Sequence, residues 1–129
     1  MISEEQVAFL AARLDEDETS AKLAAREGGT WTQDDPARFP GSISSLGGPV
    51  VYDEGAPDEN QAPHIVRFDP NRMLRDVAAD RQLLAAWQQA EAATPASAWE
   101  SDYAQALERA VRIRAAVYSD HPDYGKLFG

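Results

Sequence analysis

The segment from Gly28 to Phe68 constrains this chain most. It holds six of the eight glycines and five of the eight prolines, so no long helix runs through it. Whatever helices the chain forms must lie on either side. The middle has to turn, and short strands fit at Thr30–Gln33, Ser42–Leu46 and Val50–Tyr52. Gly47-Gly48 is the expected hairpin turn, because glycine reaches positive φ without steric cost. The run Asp53–Ala62 reads as an exposed acidic loop, and Ile65–Phe68 fits a last strand or a short helical turn equally well.

The flanks carry helical signals. Ser3 and Gln6 have capping-box spacing, Ile2 and Val7 have staple spacing, and Glu4 and Glu5 suit the positive end of a helix. The pattern Val7, Leu10, Ala11, Leu14, Ala21, Ala25 predicts a helix over 3–27, stopped by Gly28-Gly29. Asp69-Pro70 opens a second helix over 70–94, with Met73, Leu74, Val77, Leu84 and Trp87 on its buried side and Thr94-Pro95 as its stop. Ser97 and Glu100 form another capping box for a third helix over 98–118. Its expected seam is Trp99, Tyr103, Ala106, Ala110, Ile113 and Val117, spaced 4, 3, 4, 3, 4. The short link between the last two helices predicts an antiparallel helical hairpin. Ser119–Gly129 is expected to be a non-helical tail packing back through Tyr124, Leu127 and Phe128. The expected fold class is therefore α+β and mostly helical, in one domain, with a small antiparallel sheet drawn from residues 30–68.

A net charge of −10 disfavours direct nucleic-acid binding and anionic membrane surfaces. Residues 1–63 hold 13 acids against 4 bases, whereas residues 64–129 hold 9 against 8. The absence of cysteine excludes disulfides and thiolate chemistry. The acidic start lacks a signal peptide's pattern, and a soluble cytoplasmic protein is the expectation.

Four segments resemble a family of short actinobacterial and actinophage proteins known only as a domain of unknown function: FLAARLDEDE (Phe9–Glu18), GGTW (Gly28–Trp31), HIVRFDPNRMLRDV (His64–Val77) and YSDHPDYG (Tyr118–Gly125). Many members of that family carry a Cys/His-rich stretch, suggestive of a metal, where this chain has the cysteine-free, alanine-rich Ala85–Ala98. The resemblance implies an origin but no activity, and no metal or other cofactor is expected.

Two functional readings follow. In the first, this is a non-enzymatic interaction protein, a phage or mobile-element accessory factor that binds and modulates a host or viral protein. The acids Asp15, Glu16, Asp17 and Glu18 would face a basic protein partner, although successive helical residues fan out by about 100° and a solvated helix face explains most of such a run. Glu18 falls on the apolar stripe between Leu14 and Ala21, with Asp17 at its edge, and Arg81 interrupts the second helix similarly, so a structural ion pair of Glu18 or Asp17 with Arg81 or a neighbouring arginine is expected. Self-association through an exposed part of the third helix's seam fits the same reading. In the second, a small enzyme or metal- or ligand-binding protein would use His64, Asp69, Asp120, His121 and Asp123, the last three within the element Asp120–Tyr124. No HxxxH or HExxH spacing supports it, and catalytic residues are not assigned.

Overall fold

The computed structural model describes residues 1–52, 55–93 and 96–129. The elements run α1 (Glu4–Ala24), β1 (Thr32–Gln33), β2 (Ile43–Ser45), β3 (Gly48–Val51), α2 (Gln61–Arg67), α3 (Pro70–Ala92), α4 (Ala98–Ala115), a 3-10 turn (Ala116–Tyr118) and α5 (Tyr124–Phe128). This is the expected α+β class. The chain divides into two compact units, residues 1–16 with 77–129, and residues 17–76.

The first unit is built by helical stripes. Ser3 and Gln6 form the expected reciprocal cap, with the Ser3 N–H donating to Gln6 Oε1 at 2.8 Å and the Gln6 N–H to Ser3 Oγ at 3.1 Å. Ile2, Phe9, Leu10, Trp87, Val111 and Ala115 are buried together, with Val7, Leu83, Leu84, Leu107 and Tyr118 packed against them. The α1 stripe is rotated from the sequence expectation: Ala11 is exposed, and Gln6 and Phe9 take the inner face. α3 and α4 run antiparallel. Asp80 meets Arg114 at 2.7 Å toward one end, and Ala93 and Ser101 line one depression toward the other. The expected stop at Thr94-Pro95 lies outside the described residues.

The C-terminal tail is a correction. Tyr124–Phe128 forms a short helix rather than non-helical chain, yet it packs back through Tyr124, Leu127 and Phe128 as expected. Gln6 Nε2 donates to the Leu127 carbonyl at 2.6 Å, which satisfies a buried amide and fixes this helix against α1.

The second unit is held differently. β1, β2 and β3 form an antiparallel sheet in that order, with an irregular register between Ile43 and Ser44; Ser45 lies opposite Gly48, so the hairpin turns on Leu46-Gly47, one residue before the expected Gly47-Gly48. Asp34 fastens the sheet, accepting from Ser42 Oγ at 2.6 Å and Ser44 Oγ at 2.9 Å. At the turn, the Gly47 N–H donates to the Glu27 carbonyl at 2.7 Å. A Cβ on Gly47 would lie 2.4 Å from that oxygen, so the close approach requires glycine. Ile43 is wholly buried and Ala62 joins it in the unit's interior.

Residues 61–67 resolve the open choice at Ile65–Phe68 in favour of helix through Arg67. Asp58 accepts from the N–H groups of Asn60 and Gln61 at 2.8 Å each, while the Asp58 N–H donates to Gln61 Oε1 at 3.1 Å. Part of the expected acidic loop is thus a helix start; its Asp53 and Glu54 lie outside the described residues. Asp69 caps α3, accepting from the Arg72 N–H at 2.9 Å and the Trp31 N–H at 3.1 Å.

Candidate interaction surfaces

α4 departs most from its sequence reading. The expected seam faces solvent: Trp99 is 70% exposed, Tyr103 49%, Ile113 63% and Val117 59%. The helix instead buries Val111 and Ala115, with Ala104, Leu107 and Tyr118 half-buried alongside. The chain carries two apolar stripes over this stretch, and both have helical spacing. The inner stripe carries small side chains at Ala104 and Ala115, which fill less space against a neighbour than Trp99 or Ile113 would. Trp99 and Tyr103 stack with centroids 5.8 Å apart and an interplanar angle of 3°, walling a depression floored by Ala86, Ala90 and Ala93.

Opposite this stripe, Glu108 lies on the inner side of α4, 18% exposed, 2.5 Å from the Met1 ammonium and 3.3 Å from Arg112. The hydrogen bond from that ammonium lowers the Glu108 carboxyl below its usual value, aided by Arg112 and opposed by burial.

A second surface lies between the start of α1 and the end of α3. Ile2, Val7, Ala8, Trp87 and Ala92 line a groove of about 440 Å³ whose charged members are Glu4 and Glu91. Trp87 is 5% exposed, and its indole N–H has no acceptor among the described residues. Glu4, Ala8, Ala11 and Asp15 are all exposed at spacings of 4, 3 and 4, so the acidic side of the groove continues along one face of α1. That spacing was available in the sequence, where reading the run 15–18 as a block concealed it.

The acidic run divides by burial. Asp15 and Glu16 are exposed; Asp17 and Glu18 are half-buried, as their position on the α1 stripe implies. Asp15 lies 2.8 Å from Arg81 and Glu16 2.9 Å from Arg13, whereas Glu18 lies 2.6 Å from Lys22. Arg81 thus meets this run at Asp15.

The histidine-centred residues have local roles. Asp69 caps α3, and exposed His64 packs on Phe68 one turn later, centroids 4.7 Å apart. In the other unit, His121 sets its ring edge against Phe9 at 5.1 Å, meets the Arg13 guanidinium through Nε2, and accepts the Asp123 N–H on Nδ1 at 3.1 Å. Asp123 lies 3.2 Å from Lys126, and Asp120 is exposed. Among the described residues, no group of three or more His, Asp or Glu side chains is placed to hold a metal ion. Nor, among them, is any helix long and apolar enough to cross a membrane.

Fold and surfaces together define a small, mostly helical α+β protein with exposed apolar and acidic faces. Residues 3–127 match a family of unknown function, DUF6221, and the chain belongs to that family. No curated protein and no solved structure matches the chain.

Proposed function

We propose that this protein is non-enzymatic and works in the cytoplasm by binding a basic surface of another protein, as an accessory factor of actinobacterial phage or mobile-element origin. One observation carries the binding reading: the apolar groove beside Trp87 has only acids as its charged members, Glu4 and Glu91. An apolar floor supplies attraction on burial, and carboxylates at the rim select a Lys- or Arg-bearing partner and speed its approach. Asp15 extends the acidic face along α1. The origin, and the modulation of a host or viral protein, rest on the family resemblance.

The test is capture of partners from an actinobacterial lysate at low and high salt, using the native chain and the Glu4→Lys/Glu91→Lys variant. The expected result is a partner retained at low salt, released at high salt and lost by the variant. Capture that is insensitive to both salt and the double reversal would overturn the reading.

A further inference from the structure

We infer that the element taken by the groove beside Trp87 is an amphipathic α-helix of the partner, laid along α1 and α3 with lysine or arginine at its Glu4–Glu91 end. This rests on the reading that the groove binds a basic protein surface, and it names the form that surface takes. Two matching stripes wall the groove. On α1, Glu4, Ala8, Ala11 and Asp15 are exposed at spacings of 4, 3 and 4. On α3, Arg81, Ala85, Gln88 and Ala92 are exposed at the same spacings. The two helices run antiparallel, since Asp15 meets Arg81 at 2.8 Å at one end while Glu4 and Ala8 share the groove with Gln88 and Ala92 at the other. Equal spacing keeps the stripes in step, with Ala8 about level with Gln88 and Ala11 with Ala85. Alanines on both walls put little side chain between the floor at Val7 and Trp87 and the ridge of a third helix. From Glu4 to Asp15 the walls run about 16 Å at about 1.5 Å per residue, the length of about three helical turns.

Backbone chemistry selects a helix over an extended segment. An extended segment brings its N–H and C=O groups unpaired and satisfies them by adding to a strand edge. α1 and α3 bond their backbone groups internally, and the described strands all belong to the other unit, so these walls offer no such edge. A helix arrives with its own groups already bonded and has only a side-chain stripe to bury. Charge selects its polar face. Residues 1–12 and 82–92 contain Glu4, Glu5 and Glu91 and no lysine or arginine. All three acids are exposed, and Glu4 and Glu91 border the groove. At the far end Asp15 and Arg81 offset one another. The attraction for cationic side chains therefore concentrates at one end, which fixes where the partner helix carries them.

Titration of the full chain with two synthetic peptides, followed by nuclear magnetic resonance, tests the inference. Both peptides hold the same leucines and lysines over about 14 residues, or about four turns. In one the leucines recur at helical spacings of 4 and 3; in the other leucine and lysine alternate as in a strand. The helical peptide should bind about tenfold more tightly or better, and the amides of Ala8, Ala11, Ala85 and Gln88 should shift most. Ala11→Trp and Ala85→Trp fill the groove from opposite walls at exposed positions, and each should weaken that binding about tenfold with circular dichroism unchanged. If one substitution disturbs the fold, the other decides, and the peptide comparison on the native chain needs neither. Equal affinity for the two peptides, still weakened by Glu4→Lys/Glu91→Lys, would overturn the helix and leave the basic-surface reading standing. Helical-peptide binding indifferent to both tryptophans, or no binding of either peptide, would also overturn the inference, and the lysate capture judges the broader reading separately.

Discussion

The two compact units solve the same problem with different chemistry. Residues 1–16 with 77–129 bury Phe9, Leu10, Trp87 and Val111 in one apolar cluster, and polar groups serve the edges. Residues 17–76 bury few large side chains and rely on carboxylates aimed at backbone N–H groups and serine hydroxyls: Asp34 on the sheet, Asp58 on α2, Asp69 on α3. Long helices satisfy their own backbone internally and can spend their faces on apolar contact. A turn-rich segment cannot, because its free N–H groups need acceptors and short side chains nearby supply them. The difference also revises the charge map. By sequence halves the acidity is lopsided, but each folded unit holds 11 acidic and 6 basic residues.

The comparison breaks most readily at Phe9, which touches Tyr118, His121 and Phe128 with its ring and is 7% exposed. Phe9→Ala should cost about 3–5 kcal/mol in chemical denaturation. Hydrogen exchange should show α5 and the first turns of α1 losing protection before the β-hairpin does. Equal loss in both units would mean that the apolar cluster is not confined to one of them.

Asp69→Ala comes next, at about 1–3 kcal/mol, since it strands the N–H groups of Arg72 and Trp31. Exchange at those two amides should accelerate most. A cost below about 0.5 kcal/mol, the size of an ordinary surface change, would show that the second unit does not depend on its carboxylates.

The smallest effect belongs to Glu108. Its carboxyl is lowered in the folded chain, so the unfolded chain binds more protons at acidic pH. The pair's stabilisation is therefore complete above the ordinary glutamate value of 4.5 and is lost as pH falls below it. Glu108→Gln should cost about 1 kcal/mol or less at neutral pH and flatten the acid limb of the stability profile. An unchanged acid limb would remove the Met1–Glu108 pair from the forces holding α4.

Local signals carried much of the fold. Ser3 with Gln6 and Asp69 with Pro70 marked helix starts through interactions complete within four residues. The start after Ser97 is marked too, with the Glu100 N–H donating to Ser97 Oγ at 3.3 Å, although the Glu100 carboxylate accepts from Ala96 rather than Ser97. Glycines and prolines located the sheet because their backbone preferences need no partner. The α2 start was equally local, and the spacing of Asp58 and Gln61 would have revealed it.

What the sequence by itself determined was where the three long helices start and that a short sheet lies between the first two, since caps, turns and breakers act over a few residues. Only the tertiary structure decided which face of each helix is inside. Two apolar stripes of equal periodicity compete on α4, and periodicity cannot rank them; packing does, burying Val111 and Ala115 and leaving the bulkier Trp99 and Ile113 exposed. On α4, Trp99, Tyr103 and Ile113, which read most plainly as core, are therefore the exposed residues.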